Sequence, residues 1–274
     1  MRDTIDSLAI GAFDGMHLGH KALFERLGKR GGVLIIEKSC ANITPGDTRC
    51  EFVEHPCFFY RLENIKHLDA EGFVEKLKRD FVNLKRIVVG YDFAFGAGRR
   101  YGPDDLKRYS DFEVEVVDEV KIDGISVHSR VIREYIKSGD IETATRLLGH
   151  SFFIEGEVVK GQGLGSRELV PTLNLSVTDY VLPKEGVYAT LTDICGYYEP
   201  SVTFIGRRAT TDGKFGVETH IIGKTLKECK DSRVRIIFLQ RIRDNRKFDS
   251  LRELKKAIES DIQKALAVVK KHTI

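Results

Sequence analysis

The segment GAFDGMHLGH, residues 11–20, places His17 and His20 three positions apart in a glycine-rich stretch. It lies between a short apolar run and a run with helical spacing, so the two histidines would share one face of a first helical turn. Glycines let a backbone come close to a ligand, and the free amides at a helix start favour phosphate. The segment predicts a site where imidazole donors hold the phosphates of a nucleotide while its α-phosphate is attacked. The phosphate-binding residues predicted beside the histidines are Gly11, Phe13, Asp14 and Gly15.

Two other interpretations of the paired histidines stay open. One is a glycine-rich connection with two hydrogen-bonded surface histidines, which is the better interpretation of an isolated His-x-x-His. The other is zinc, for which the sequence offers no third ligand at a suitable spacing. The Phe-Asp-Gly directly after a strand favours phosphate.

A second glycine-rich loop, VVGYDFAFGAGRRYG at 88–102, also follows a strand-like run. Asp92 could accept hydrogen bonds from a base or ribose, and Phe93 and Phe95 could flank a planar ring. Arg99 or Arg100 could bind phosphate. The alternative, about equally favoured for each phenylalanine, is that the ring fills the core beneath the sheet.

The run VHSRVIREYI carries a third candidate phosphate contact. Ser129 would open a helix and Arg133 would lie one turn further on, which together could clamp a phosphate. The same pattern is also typical of an ordinary capped surface helix.

In the second half, the segment VPTLNL places Thr172 and Asn174 on one face of a strand and Leu173 and Leu175 on the other. A hydroxyl and an amide carbonyl side by side are hard oxygen ligands, suited to a magnesium ion that also binds ATP phosphates. The alternative is an Asn/Thr pair that bonds to the backbone of a turn, which the residues by themselves favour. A loop just before this strand could fold over phosphates, and its glycines are Gly161, Gly163 and Gly165.

Two patterns of secondary structure would position these residues. In the first half, apolar runs alternate with stretches of helical spacing, which is typical of an open parallel sheet of the doubly wound type. The predicted strands are 7–10, 33–36, 86–90 and 112–117, and the predicted helices are 20–30, 71–81 and 139–149. Ligands bind outside the carboxyl ends of such strands, where both glycine-rich loops would lie.

After residue 150 the pattern changes to short strands separated by turns, which suggests a small antiparallel six-stranded β-barrel. The predicted strands are 152–159, 173–177, 186–192, 201–206, 216–222 and 233–239. The stretch 250–270 predicts an amphipathic C-terminal helix packed on the barrel, with Leu251, Leu254, Ile258, Ile262 and Leu266 as its apolar stripe. The sequence therefore predicts an α/β domain at 1–150 and a barrel domain at 151–274.

The composition argues against a nucleic-acid-binding protein, a membrane protein and a disulfide-rich protein. Lys and Arg number 44 and Asp and Glu 41, so the formal charge of +3 gives no strong basic field for nucleic acid. No stretch approaches the roughly 18 apolar residues of a membrane span, and the first ten residues contain no apolar signal region, so we expect a cytoplasmic protein. The five cysteines are odd in number and scattered, which indicates reduced thiols.

Seven segments resemble, in their order along the chain, prokaryotic bifunctional riboflavin kinase/FAD synthetases. They are GAFDGMHLGH (11–20), GYDFAFG (90–96), HSRVIR (128–133), GQGLGSRELVPTLNL (161–175), LPKEGVYA (182–189), VETHI (217–221) and RIRDNRKFDSL (241–251). The resemblance runs from about Leu8 to about Lys264. It implies an N-terminal Rossmann-like nucleotidyltransferase domain that adenylylates FMN, and a C-terminal riboflavin kinase domain.

The resemblance also implies roles for residues of the second half. It places Mg²⁺–ATP ligands on Thr172 and Asn174, and a general base on Glu218, which alternation puts on one strand face with His220 and Ile222. Without the resemblance, a lone strand glutamate would be taken as solvated surface. In RDNRKF, 243–248, basic residues could reach phosphates and Phe248 could touch the flavin.

The chain departs from the family pattern mainly in its first domain. The usual Phe-x-Pro-His-Pro-like segment is replaced by EKSC at 37–40, and the usual Ser-Ser-Thr-x-x-Arg by HSRVIR, which keeps Ser129 and Arg133. Lys38 or Arg130 could replace the lost contacts to the FMN phosphate. In the second domain Leu173 replaces a small residue and Asn245 an acidic one.

The predicted function is therefore phosphorylation of riboflavin to FMN, followed by adenylylation of FMN to FAD, with ATP as co-substrate and Mg²⁺ as cofactor. No nucleic acid or membrane partner is expected. Three alternatives stay open: a riboflavin kinase with a degenerate first domain, a non-catalytic flavin or nucleotide sensor, and a nucleotidyltransferase for another phosphorylated small molecule. The last leaves the barrel unexplained.

Overall fold

The computed structural model describes residues 2–38, 41–160, 170–194, 196–210, 213–224 and 232–272. The chain forms two compact units, Met1–Val131 and Ile132–Ile274. The division falls within the helix that begins at Ser129 and before the helix predicted at 139–149, whereas the sequence had predicted that the first domain extends to residue 150.

The N-terminal unit is built on a parallel sheet, which confirms the predicted α/β class. Among the described residues its strands are β1 (Ser7–Gly11), β2 (Gly31–Glu37), β3 (Cys57–Arg61), β4 (Arg86–Gly90) and β5 (Glu113–Val117). Their order in the sheet is β3-β2-β1-β4-β5, and every neighbouring pair is parallel. The order reverses beside β1, so the carboxyl ends of β1 and β4 flank the place where doubly wound sheets bind ligands.

The sheet is covered on both faces, as its continuous apolar strands require. Alternate residues of β1 show this: Leu8 and Ile10 pack in one core and Ala9 in the other. The first core includes Phe73 and Leu77 of helix α2 (Ala70–Asp80). The second includes Leu23 and Phe24 of helix α1 (Leu18–Phe24). The helices of this unit are α1 (Leu18–Phe24), α2 (Ala70–Asp80) and α3 (Pro103–Tyr109), and a hairpin joins β6 (Lys121–Ile122) to β7 (Ile125–Ser126).

Two details of this unit differ from the sequence prediction. Helix α1 ends at Phe24 rather than near residue 30, because the backbone after it turns toward β2. Strand β3 was not predicted. Its run CFFYR alternates Phe58 and Tyr60, both buried, with more exposed neighbours, which is the period of a strand with one face in the core.

The C-terminal unit is a closed antiparallel barrel, and its predicted architecture is confirmed. Helices α4 (Ser129–Ser138), whose first residues belong to the first unit, and α5 (Ile141–Leu148) precede it. The Asp140 carboxylate accepts from the Thr143 amide at 3.0 Å to begin α5, and Gly149 ends it with φ 75°. The barrel strands in the described part are β8 (Phe153–Val159), β9 (Leu173–Ser176), β10 (Gly186–Ile194), β11 (Tyr197–Arg207), β12 (Phe215–Ile221) and β13 (Arg233–Asp244). They close in the order β10-β11-β12-β9-β8-β13.

The long C-terminal helix α6 (Leu251–His272) packs on the barrel as predicted. Of its predicted apolar stripe, Ile262 packs against the core, and Leu254, Ile258 and Leu266 are partly buried. The buried residues of α6 are Asp261, Ala265, Val268 and Val269, whereas Leu251 is 39% exposed. The buried face includes an aspartate because Arg243 of β13 pairs with it, with Arg243 Nη2 at 2.8 Å from Asp261 Oδ2. A charge that is paired in this way can lie at a buried position that a hydrophobic pattern does not reveal.

The barrel contains a cluster of five fully buried hydroxyl groups, from Thr190, Thr192, Ser201, Thr203 and Thr219. They bond to one another across β10, β11 and β12, with oxygen–oxygen distances of 2.7 Å for Thr190–Ser201 and 3.0 Å for Thr203–Thr219. Because each hydroxyl has a partner, the cost of burying it is offset, and the network joins neighbouring strands.

Two smaller predictions from the sequence concern membrane spans and cysteines. None of the helices seen in the described ranges is long and apolar enough to cross a membrane. Cys50 and Cys57, both within the described part, are free thiols, as predicted. Cys40, Cys195 and Cys229 lie outside it.

Candidate active sites

A cavity of about 350 Å³ in the N-terminal unit brings the two glycine-rich loops together. It lies at the carboxyl ends of β1 and β4, where the order of the sheet reverses. The predicted site residues that line it are Gly11, Phe13, His17, His20, Asp92, Phe93, Phe95, Arg99 and Ser129. Residues from three separate parts of the sequence thus meet in one site.

The glycines of the first loop make room for rings of the protein itself. A Cβ on Gly11 would lie 2.9 Å from the Phe13 ring, and one on Gly19 would lie 3.2 Å from the His17 ring and from the Val127 carbonyl oxygen. The loop is also tightly folded, since Phe13, Gly15 and Met16 have φ of 51°, 91° and 42°. Gly11 and Gly19 therefore occur between β1 and α1 because a larger side chain at either position would clash with the closely packed loop.

The Asp14 side chain holds this loop in place from below. The carboxylate is buried, and its Oδ1 accepts from the amides of Ile43 and Thr44 at 2.9 and 3.1 Å. The Thr44 hydroxyl in turn accepts from the Gly15 amide at 2.8 Å. These contacts give Asp14 and Gly15 a part in shaping the loop, and neither is among the described residues that line the cavity.

A buried arginine that the sequence analysis did not single out supports the same loop. Arg49 is 2% exposed, and it donates from Nη1 to the Ala12 carbonyl oxygen at 2.8 Å and from Nε to the Gly46 carbonyl oxygen at 3.1 Å. Burial lowers the pKa of Arg49, while the nearby Asp14 carboxylate acts in the opposite direction. The guanidinium thus joins the loop after β1, which contains Ala12, to the segment that follows β2.

We expect Arg49→Met to lower the free energy of unfolding of the N-terminal unit by about 2–5 kcal/mol, because the carbonyl oxygens of Ala12 and Gly46 would lose a charged donor that is itself buried. Urea titration followed by circular dichroism measures the change. Arg79→Met, which removes a 74% exposed arginine side chain of the same unit, is the control and should cost less than about 0.5 kcal/mol. An equal effect of the two substitutions would contradict the supporting role of Arg49.

The two predicted catalytic histidines are stacked, with ring centroids 3.5 Å apart and planes at 20°. His17 caps α1: its Nδ1 accepts from the His20 amide at 3.3 Å. An accepting Nδ1 puts the proton of a neutral ring on Nε2, which makes that nitrogen a donor. His20 lines the cavity, and its Nδ1 is buried and makes no hydrogen bond with the described residues.

The environment keeps His20 neutral. Burial, followed by the neighbouring imidazoles of His17 and His128, lowers the pKa of His20 well below its ordinary value of 6.5. At neutral pH His20 is therefore a hydrogen-bonding group rather than a cation.

The lowered pKa of His20 predicts a pH-dependent stability. Below about pH 6.5 the unfolded chain takes up a proton at His20 that the folded chain does not, so the free energy of unfolding should fall as the pH falls. At pH 5.5 the loss from this group should be about 1 kcal/mol relative to pH 7.5. Urea titrations at both pH values should show a smaller loss for His20→Asn than for the wild type. An identical pH dependence of the two proteins would contradict the prediction.

The second loop combines core and cavity positions. Phe95 is 6% exposed and packs on Phe73, with centroids 4.9 Å apart, while Phe93 is half-buried and stacks on Phe95 at 5.6 Å. The core interpretation therefore applies to Phe95, although one edge of it borders the cavity. Asp92 is an exposed carboxylate at the rim, and Arg99 lines the cavity.

A group of polar side chains at the rim was missed by the sequence analysis. The Tyr91 hydroxyl lies 2.6 Å from His128 Nε2 and donates to Glu119 Oε1 at 3.3 Å, and His128 Nδ1 lies 4.0 Å from Asp92 Oδ2. Their position in the sequence could have indicated them, because Tyr91 directly precedes Asp92 and His128 directly precedes Ser129, two residues predicted to belong to the site.

Ser129 and the residues that replace the family's usual segments take different positions. The Ser129 hydroxyl donates to the Asp14 carbonyl oxygen at 2.6 Å, so it joins the start of α4 to the first loop. Lys38 lines the cavity, whereas Arg130 is exposed and is not among its described lining residues. Arg133 belongs to the second compact unit, and its phosphate role stays a prediction.

On the barrel, Thr172 and Asn174 alternate with buried leucines as expected. Leu173 and Leu175 are 7% and 6% exposed, while Thr172 and Asn174 are partly accessible. Within the described part of the chain, neither polar side chain makes a hydrogen bond. The structure therefore does not have the alternative arrangement, in which the two side chains bond to the backbone of a turn. Two unengaged oxygen atoms with this spacing fit a hard cation whose other ligands come from a nucleotide and water.

Glu218 lies directly opposite Asn174 on the neighbouring strand, and alternation of β12 puts both on the outer face. Its Oε1 accepts from Arg208 Nη1 at 2.8 Å. Two positions along, His220 donates from Nδ1 to the Pro171 carbonyl oxygen at 2.8 Å and holds the chain that leads into β9. The strand pairing thus places the predicted base opposite Asn174, one of the two predicted cation ligands.

Two further predicted sites of the barrel have different outcomes. Phe248 is 7% exposed, its amide donates to the Thr210 hydroxyl at 3.2 Å, and the guanidinium groups of Arg243 and Arg246 lie 5.5 and 4.7 Å from its ring centroid. Its contact with a flavin stays a prediction. Gly161, Gly163 and Gly165 lie outside the described residues.

The N-terminal unit combines a Rossmann-like sheet with a histidine-lined cavity, and on the closed barrel of the C-terminal unit Glu218 lies opposite Asn174. This combination fits a nucleotide-using transferase. A family model described as riboflavin kinase matches residues 148–269, and one described as FAD synthetase matches residues 51–131. The histidine loop precedes the second of these matches.

Whole-chain comparisons agree with the two family models. The chain is 32% identical to the bifunctional riboflavin kinase/FMN adenylyltransferase of Pseudomonas fluorescens, over 94% of this chain and 91% of that protein. It is 28% identical to the Bacillus subtilis protein of the same name, over 94% and 91%. The solved structure of a macrolide-efflux protein from Streptococcus pneumoniae is 26% identical and superposes with a TM-score of 0.81 over 96% of each chain. The chain belongs to the bifunctional riboflavin kinase/FMN adenylyltransferase family, and it is an ATP-using enzyme of flavin cofactor synthesis.

Proposed function

We propose that the two activities of this family are divided between the two domains predicted from the sequence: residues 1–150 adenylylate FMN, and residues 151–274 phosphorylate riboflavin. The observation that carries the proposal is that each unit has its own cluster of predicted site residues. One surrounds the cavity at the ends of β1 and β4, and the other lies across β9 and β12.

In the barrel unit, a primary hydroxyl of riboflavin attacks the γ-phosphorus of ATP. The new bond joins the riboflavin oxygen to that phosphorus, the bond to ADP breaks, and the hydroxyl proton passes to the Glu218 carboxylate. Thr172 and Asn174 would hold Mg²⁺, which when bound neutralises charge on the triphosphate. Glu218 sits opposite Asn174 in the strand register, so a hydroxyl bound at the base would also be next to the nucleotide phosphates.

In the α/β unit, an oxygen of the FMN phosphate attacks the α-phosphorus of ATP, and pyrophosphate leaves. The nucleophile is already charged, so it needs little deprotonation, and the protein contributes orientation and electrostatic stabilisation. His17 donates from Nε2 and His20 acts as a neutral hydrogen-bonding group, both toward phosphate oxygens. Lys38 and Arg99, which line the same cavity, add positive charge.

The experiment that tests this function is chromatographic product analysis with riboflavin and then FMN as substrate, each with ATP and Mg²⁺. We expect FMN and FAD from the first and FAD with pyrophosphate from the second. FMN without any FAD would identify a kinase whose first domain has degenerated. Binding of flavin without turnover would identify a sensor. We place the enzyme in the cytoplasm, where its ATP co-substrate is made.

A further inference from the structure

The two oxygens of the Glu218 carboxylate have different surroundings. Arg208 Nη1 donates to Oε1 at 2.8 Å, whereas Oε2 makes no hydrogen bond with any residue in the described ranges. The Arg208 and Glu218 side chains are 18% and 20% exposed. One oxygen is therefore held by a cation, and the other is left to accept a proton.

The backbone around Arg208 fixes its position. In the turn between β11 and β12, its amide donates to the Lys214 carbonyl oxygen at 2.9 Å, and its own carbonyl accepts from the Gly213 amide at 3.1 Å. The ion pair lies beside Gly216, where a Cβ would be in ordinary contact with both side chains, 3.8 Å from Arg208 Cζ and 3.5 Å from Glu218 Oε1. The Arg208 side chain therefore extends past Gly216 to contact Glu218, which lies two residues after that glycine on β12.

We propose that Arg208 is the positioning residue of the riboflavin kinase site. It holds Oε1 of Glu218 and so directs Oε2 toward the riboflavin hydroxyl. The inference rests on the role proposed for Glu218. During the reaction the hydroxyl proton passes to Oε2, the γ-phosphoryl group moves from ADP to the riboflavin oxygen, and Arg208 keeps its protons and touches neither substrate.

This role predicts an effect on rate rather than on binding or folding. A partly exposed ion pair contributes little to stability. A misplaced catalytic group, by contrast, can cost about 10²-fold in rate, because the reacting atoms no longer align.

The test compares Arg208→Met and Arg208→Lys with Arg207→Met, which removes the neighbouring exposed arginine. We expect Arg208→Met to lower the kinase kcat about 10- to 100-fold, with KM for riboflavin and ATP within about threefold of wild type. Arg208→Lys should recover part of the loss, since lysine keeps one charged donor, and Arg207→Met should resemble the wild type. FMN adenylylation by the same preparations should stay within about twofold, and thermal unfolding should be unchanged.

A second comparison separates positioning from nucleotide binding. In a Glu218→Gln background, adding Arg208→Met should cause no further loss of kinase rate and no change in the calorimetric Kd for ATP. Weaker ATP binding in that background would overturn the inference, because Arg208 would then contact the nucleotide. A kcat for Arg208→Met within twofold of wild type, with Glu218→Gln inactive, would overturn the inference about Arg208 and leave the proposed role of Glu218 as the base unchanged.

If Glu218→Gln itself stays active, the proposed function of the barrel site fails. Should Arg208→Met not fold, Arg208→Lys carries the test, with at least a threefold lower kcat at unchanged KM expected.

Discussion

Replacing Glu218 by glutamine is expected to lower the kcat of riboflavin phosphorylation by about 10²- to 10⁴-fold, the usual contribution of a general base. The amide has the size of the carboxylate but cannot accept the hydroxyl proton. It can still accept a hydrogen bond from Arg208, so the β12 hairpin should keep its geometry. Initial rates of FMN formation from riboflavin and ATP measure the effect.

The control for this substitution is Glu157→Gln, an exposed glutamate on β8 of the same barrel. It removes the same charge from the same unit and should leave the kinase rate within about twofold of wild type. FMN adenylylation by the Glu218 variant should also be unchanged, because the proposed site for that step lies in the other unit. A kinase rate reduced less than threefold would mean that another group takes the proton.

Replacing His17 by asparagine is expected to lower FMN adenylylation by about 10²- to 10³-fold, the usual loss when one preorganised donor to a transition-state charge is removed. Asparagine is a good helix cap, so it can still accept from the His20 amide and keep the start of α1 in place. What it removes is the Nε2 donor and the ring stacked on His20. The rate of FAD formation from FMN and ATP measures the loss.

His67→Asn is the matched control, since His67 is exposed in the same unit and is not among the described residues that line the cavity. It should leave both activities near their wild-type values. Riboflavin phosphorylation by the His17 variant should be unaffected. A loss of both activities, with the protein still folded, would contradict the assignment of one activity to each unit.

The sequence predicted well those parts of the fold that depend on local pattern. The continuous apolar runs at 33–36 and 86–90 became central parallel strands, and helix α5 begins and ends at the predicted Asp140 and Gly149. Strand periodicity also placed Glu218 and Thr219 on opposite faces of β12, which the burial pattern confirms.

Features that depend on distant contacts could not be predicted in this way. Arg49 supports the carbonyl of Ala12 across 37 residues of sequence, and nothing near Arg49 in the chain indicates that partner. The sequence of α6 does not indicate that Asp261 is buried, because its burial depends on the ion pair with Arg243 of β13. The buried hydroxyl cluster is similar: alternation assigns Thr219 to the inner face of β12, but its hydroxyl partner Thr203 depends on strand register.

The same limit applies to the candidate sites. The types of residue that could bind phosphate or take a proton were evident, because glycines, histidines and a strand glutamate carry recognisable patterns. Whether a glycine serves a ligand or a neighbouring ring was not evident, and Gly11 makes room for Phe13. The orientation of Glu218 likewise depends on Arg208, a contact that is set by the turn between two strands.

The most direct test of the two-unit assignment mixes the Glu218→Gln and His17→Asn proteins with riboflavin, ATP and Mg²⁺ and follows the products by chromatography. Alone, the Glu218 variant should leave riboflavin unchanged and the His17 variant should accumulate FMN. Together they should form FAD, because FMN released by one protein can be adenylylated by the other. If each variant alone loses both steps, or if the mixture accumulates FMN without FAD, the two reactions do not have separate sites in the two units.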